Sequence, residues 1–287
     1  MDSGTTIPYA NAPCLFLFPQ ITLLTFGWIG AVKKFFTSEP KRTVPVGDDE
    51  SHRVDPRFKG KLVETPREGV STLYDLVSDA FTRYGARRCM GTREFLGWKT
   101  PGKVKHFGDV SWKSYAEMGA EAHKFGAALR AAGVVAAPST TTLDPVSNAS
   151  RIAIFENTCA EWMVAAMGAF TQSATVVTVY ATLGIDAVIE AVVDNKVPVI
   201  VCNKKDVEKL VGSIDKMKTL KTIVYTNDLV GPDDKVDLPK APKGVSITSM
   251  ADFVASGNTT AYPPTPPKPD TPAVIMYTSG STGKPKG

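Results

Sequence analysis

Between Thr72 and Tyr225 the apolar positions switch between two periods. Leu73, Leu76, Val77, Ala80 and Phe81 recur every three or four residues, the spacing of one helix face. Ser71 or Thr72 stands ready to cap that helix. Cys89 to Phe95 and Lys103 to Trp112 read as the arms of a hairpin, with Pro101-Gly102 at its turn. Ser114-Tyr-Ala-Glu117 is a capping box. It predicts a helix to about Ala132, with Tyr115, Met118, Ala122, Phe125 and Leu129 on one face as core and Gly133 at its end.

Beyond Ser150 short apolar runs alternate with helical patterns. Strands are predicted at Arg151 to Phe155, Thr175 to Tyr180, Val197 to Cys202 and Thr222 to Tyr225. Helices are predicted at Cys159 to Thr171, Ile185 to Asn195 and Lys205 to Lys216. Such alternation implies an α/β fold, a mostly parallel sheet with flanking helices. Val134 to Ser150, rich in Ala, Ser, Thr and Pro, reads as a surface loop. Pro263 to Pro272 is a stiff spacer leading to one more short apolar run, Ala273 to Tyr277.

The amino terminus differs from all of this. Ser3 to Val32 contains no charged side chain, and Cys14 to Val32, 19 residues, would span about 28 Å as a helix. A bilayer core is about 30 Å thick. Trp28 and Lys33-Lys34 fall where an interface would lie, and the basic residues Lys33, Lys34, Lys41 and Arg42 all follow the segment. Residues 1–35 are therefore read as a membrane anchor, with the body cytosolic by the positive-inside rule. A cleaved signal peptide and a buried helix are the rival readings; the acidic start opposes the first and Pro19 the second. In a cytosolic body the sequons at Asn148 and Asn258 would stay unmodified. Residues 36–70, rich in Pro, Gly and charge, read as linker, leaving 71–287 as the folded part.

Composition adds exclusions. The chain is 43% hydrophobic and 22% charged, with a net charge of +4 and basic residues scattered among acidic ones. That is an ordinary globular balance without a nucleic-acid footprint. Cys14, Cys89, Cys159 and Cys202 form no CxxC pair and suggest neither a zinc site nor a disulfide framework. His52, His106 and His123 lie far apart and read as surface or packing residues.

The chemistry concentrates in Tyr277 to Gly287, YTSGSTGKPKG. Gly280 and Gly283 allow tight turns and close approach of backbone to ligand. Thr278, Ser279, Ser281 and Thr282 supply hydroxyls, and Lys284 and Lys286 supply charge. Successive backbone N–H groups in such a loop make an anion site. It is not a Walker A loop, because Thr278 replaces the first glycine and Pro285 follows the lysine. A flexible Gly/Ser tail is the bland alternative, but a tail needs no strand-like run before it.

This stretch resembles the phosphate loop of the adenylate-forming enzymes: acyl-CoA synthetases, luciferases and peptide-synthetase adenylation domains. Val176 to Gly184, VVTVYATLG, and Arg151 to Trp162, RIAIFENTCAEW, are similar to segments of the long-chain fatty acyl-CoA synthetases. The resemblance implies the incomplete amino-terminal part of an adenylate-forming large domain, preceded by a membrane-anchor helix. It implies ATP-dependent activation of long-chain fatty acids through an acyl-adenylate, with Mg²⁺ as cofactor and coenzyme A as co-substrate. Thr278, Ser279, Gly280, Ser281, Thr282, Gly283, Lys284 and Lys286 would bind the nucleotide phosphates, Lys286 most directly by its place in the PKG triplet. Tyr180 and Thr182 stand where a parallel sheet gathers ligands, although Gly184 and Thr182 are favoured as turn and cap residues. The family's later motifs, including its metal ligand and catalytic lysine, are expected beyond Gly287, so the chain as written is expected to be an inactive fragment with an open sheet edge. Another acyl- or aryl-CoA ligase and a non-catalytic membrane-tethered nucleotide-binding module are the alternatives. The membrane partner would be the endoplasmic reticulum first, then peroxisome, outer mitochondrial membrane or lipid droplet.

Overall fold

The computed structural model describes residues 42–58, 64–100, 102, 104–135 and 150–278. The chain divides into two units between Glu64 and Thr65. In the first, β1 (Val44–Val46) pairs antiparallel with β2 (Asp49–Val54), so part of the stretch read as linker is a small hairpin. Gly47, at φ 62°, makes its turn, a conformation glycine adopts at little cost. An ion pair between Asp55 and Arg57, 2.6 Å, braces the short helical turn that follows.

The second unit opens with α1 (Leu73–Arg83), capped by Thr72 in a reciprocal box with Asp75. A long antiparallel ribbon follows, β3 (Arg88–Thr100) and β4 (Val104–Ser114). The chain then enters α2 (Tyr115–Ala131) through the expected Ser114–Glu117 capping box. Met118, Ala122, Phe125 and Leu129 are buried, as their spacing implies.

The rest winds a six-stranded, wholly parallel sheet. Its strands are β5 (Arg151–Phe155), β6 (Thr175–Thr178), β7 (Val199–Asn203), β8 (Thr222–Thr226), β9 (Ser246–Ser249) and β10 (Val274–Met276), in the order β10-β6-β5-β7-β8-β9. The helices between them are α3 (Ala160–Phe170), α4 (Ile185–Asp194), α5 (Val207–Gly212) and α6 (Met250–Ser256). Side chains alternate between the two faces. Ile152, Ile154, Val199 and Val201 pack with α2, α3 and α6 on one side. Ala153, Val177, Ile200 and Cys202 pack with α4 and α5 on the other.

Three elements of the second unit differ from the sequence reading. The predicted helix from Lys205 to Lys216 is one short α-helix between two 3₁₀ turns, because Gly212 and Ser213 are weak helix formers. β9 and α6 were not predicted: Ile247 is the one apolar residue of a four-residue edge strand, too little for a period. Among the described residues no helix is long and apolar enough to cross a membrane. The anchor segment Cys14 to Val32 lies outside the described residues.

Candidate functional site

In a parallel sheet all strand carboxyl ends reach one edge, and neighbouring strands that feed helices on opposite faces leave a crevice there. β5 feeds α3 and β7 feeds α5, on opposite faces. They are adjacent strands, so the crevice opens between Phe155 and Asn203. β10 ends on the same edge, beside β6, with Met276 opposite Thr178.

β10 is held where it is by the proline-rich spacer. Ser173 Oγ donates to the Thr265 carbonyl at 2.6 Å, Thr175 Oγ1 to the Pro272 carbonyl at 2.8 Å, and the Thr265 amide to the Thr171 carbonyl at 2.8 Å. The spacer is thus laid along the turn between α3 and β6.

The last buried residue before the candidate loop is Tyr277, 5% exposed. Its amide donates to the Thr178 carbonyl at 3.1 Å. Its hydroxyl accepts from Asn195 Nδ2 at 3.0 Å and donates to Asp194 Oδ2 at 3.3 Å, at the carboxyl end of α4. Burial, then the Asp194 charge, raises the phenol pKa, so the hydroxyl keeps its proton and remains a donor. Backbone and side chain together fix the point from which the loop departs. Thr278 is the first loop residue and is exposed. Ser279, Gly280, Ser281, Thr282, Gly283, Lys284 and Lys286 lie outside the described residues. Tyr180, beyond β6 on the same edge, is 56% exposed. Gly184 occupies the cap position of α4 without a side-chain bond, and Thr182 makes none to the helix start.

A second polar group sits at the crevice itself. Glu156, directly after β5, is buried. Its Oε1 accepts from the Asn157 amide at 2.7 Å and from Asn203 Nδ2 at 3.4 Å, and its Oε2 accepts from the Thr226 hydroxyl. Asn203 also donates to the Asp228 carbonyl at 2.8 Å. The ends of β5, β7 and β8 are tied together through one carboxyl group. Burial pushes Glu156 above the ordinary glutamate value of 4.5, against the pull of its donors. Nearby, burial pushes the Cys159 thiol up to about 12, so it is no nucleophile at neutral pH. Sequence reasoning missed Glu156, although a carboxylate placed directly after a five-residue apolar strand was a readable signal. It also missed Asn195 and Asp194, for which no local signal exists.

The raised Glu156 pKa has a testable sign. A carboxyl group whose folded value exceeds its unfolded value favours folding below the unfolded value, and that contribution is lost as pH rises through the folded one. The stability of wild type relative to Glu156→Gln should therefore fall as pH climbs from about 4.5 toward neutrality, then level off. Urea unfolding of both proteins across that range checks it. A difference independent of pH would show that the carboxyl titrates alike in the folded and unfolded protein, and that burial does not raise its pKa.

Of the histidines in the second unit, His106 is exposed on β4 and His123 Nδ1 lies 2.7 Å from the Gly119 carbonyl; His52, in the first unit, is exposed. Among the described residues no three His, Cys, Asp or Glu side chains gather as a metal site.

Comparison with known proteins agrees with this architecture. A family model described as AMP-binding enzyme matches residues 97–287. The sequence is 33% identical over 260 residues to long chain acyl-CoA synthetase 8 of Arabidopsis thaliana, covering 86% of this chain and 34% of that protein. It is 30% identical over 279 residues to long-chain-fatty-acid–CoA ligase 2 of Schizosaccharomyces pombe, covering 89% and 38%. The chain thus spans about a third of the length of these curated relatives. Among solved structures, the adenylation domain of a carboxylate reductase from Mycobacterium chelonae superposes with a TM-score of 0.60 at 20% identity, over 77% of this chain and 34% of that one. That likeness establishes the fold.

Proposed function

The chain belongs to the AMP-binding enzyme family, and on that premise we propose that it supplies the phosphate-binding part of a ligase that activates long-chain fatty acids as acyl-CoA. The observation that carries the reading is the placement of Tyr277–Thr278. A buried tyrosine at the carboxyl edge of a parallel sheet, bonded through both backbone and hydroxyl, is followed in sequence by glycines, hydroxyls and lysines, which supports the reading. The relatives named as long-chain synthetases point to the substrate class.

A carboxylate is a poor acyl donor because its leaving group would be oxide. In the proposed reaction a fatty carboxylate oxygen attacks the α-phosphorus of ATP, the bond to the bridging oxygen breaks, and pyrophosphate leaves. The coenzyme A thiolate then attacks the acyl carbon and AMP departs. The loop contributes by positioning and charge: its amides, the Thr278, Ser279, Ser281 and Thr282 hydroxyls, and Lys284 and Lys286 hold the β- and γ-phosphates in line. The described residues offer no protein metal site; Mg²⁺ enters the proposal only as counter-ion of the nucleotide. The Cys14 to Val32 segment anchors the protein, its body in the cytosol, most naturally at the endoplasmic reticulum.

The full-length gene product, given ATP, Mg²⁺, coenzyme A and a panel of carboxylic acids, should form AMP, pyrophosphate and thioester with long-chain acids in clear preference to acetate or benzoate. Preference for the short or aryl acids would move the assignment to another ligase of the family. Nucleotide binding without AMP formation would make the protein a non-catalytic module.

A further inference from the structure

The β3–β4 ribbon is not hydrogen-bonded into the six-stranded sheet. Residues 88–114 hold six basic side chains, Arg88, Arg93, Lys99, Lys103, Lys105 and Lys113, against two acids. The resulting +4 equals the formal charge of the whole chain, so the other 260 residues balance to zero. The ribbon is thus one of the stretches in which positive charge is concentrated.

The ribbon has an inner and an outer side. On the inner side Lys113 pairs with Glu121 of α2 at 2.7 Å. The outer side follows from the register, in which Gly91 opposes Trp112 and Arg93 opposes Val110. Trp112 lies flat over Gly91, where a Cβ would come within 3.0 Å of the ring. Arg88 stands 5.4 Å from the Trp112 centroid and Arg93 5.2 Å from that of Phe107. Trp112 is 48% exposed and Val110 45%, as is Val104 near the tip at 49%. Trp112, Val110 and the Arg88 and Arg93 guanidinium groups therefore share one exposed surface.

We propose that this outer face is a docking surface for anionic lipid membranes. The cationic groups complement acidic headgroups. Tryptophan with aliphatic neighbours favours the boundary between headgroup and hydrocarbon. A basic, aromatic surface also suits single-stranded nucleic acid, where rings stack on bases. Val110 decides between them, because an aliphatic side chain gains from hydrocarbon and offers no stacking face. The contact is separate from the segment Cys14 to Val32, and it stands whether or not the ligase assignment does, since its readout is partition rather than turnover.

The test is flotation of the full-length gene product with phosphatidylcholine vesicles and with vesicles that also contain phosphatidylserine. Because an amino-terminal segment could bind both, the quantity read is the ratio. Wild type should prefer the anionic vesicles by about tenfold or more, and Arg88→Glu with Arg93→Glu should bring the ratio near one. Trp112→Ala should weaken binding to anionic vesicles severalfold while keeping the salt dependence. Lys243→Glu, an exposed change elsewhere, should leave the ratio intact. A ratio unchanged in the double variant overturns the proposal, and so does tighter binding to a single-stranded oligonucleotide than to anionic vesicles. Thermal melting of each variant confirms that the fold is retained.

Discussion

Replacement of Thr278, Ser281 and Lys286 together by alanine should lower fatty-acid-dependent AMP formation by the full-length gene product at least a hundredfold. Removing one donor aimed at developing charge typically costs about 10² to 10³ in rate. Three such groups acting as a unit do not add, so the triple change is expected near the single worst one. Melting of the triple variant is measured alongside, so that a loss of rate is read from folded protein only. The single changes Lys284→Ala and Lys286→Ala separate the two charges, with the larger loss expected at Lys286. Turnover that survives the triple substitution would remove the loop from the reaction and the ligase assignment with it.

The second large effect is on stability. Substituting Gly126 by valine should destabilise the protein by about 3 kcal/mol or more, at the upper end of what overpacking costs. Gly126 of α2 faces Gly168 of α3 at their crossing. A Cβ there would stand 2.6 Å from the Gly168 carbonyl oxygen, and closer still to Thr171 Oγ1. That hydroxyl is already committed to the Gly168 carbonyl at 2.7 Å. The obstruction is backbone and cannot rotate away, so the helices must separate and unseat Phe125, which is fully buried and packed edge-on against Phe253. Gly212→Ala is the matched control: nothing lies within 4 Å of its Cβ, and the change should stay within about 0.5 kcal/mol. Urea unfolding of both variants gives the comparison. A Gly126→Val protein as stable as wild type would mean that α2 and α3 do not cross at this point.

Much of the second unit was legible along the chain because its signals are local. The Ser114–Glu117 capping box formed as the sequence implied, and of the two cap candidates for the first helix Thr72 took the position, in a reciprocal box with Asp75. The stripe through Phe125 and the runs at Arg151, Thr175 and Thr222 carry the helical and strand periods that packing then uses. Of the candidate site, the strand before Tyr277 was legible in the same way, whereas the residues after Thr278 lie outside the described residues. Short segments with few apolar residues were not legible. The Val44–Val54 hairpin and β9 each lack enough buried positions to show a period.

The amino-acid sequence by itself therefore determined most of the strands and helices of the second unit, the apolar face of each, and which residues after Tyr277 are candidates for holding phosphate. Tertiary structure alone decided the strand order, seating β10 against β6 and leaving the crevice between β5 and β7. It alone brought Asn195 to the Tyr277 hydroxyl, gathered Asn203 and Thr226 around Glu156, and turned Trp112 outward beside Arg88. The reason is physical: periodicity and capping depend on residues a few positions apart, whereas a hydrogen bond between distant segments depends on which surfaces bury each other, and no local pattern encodes that choice.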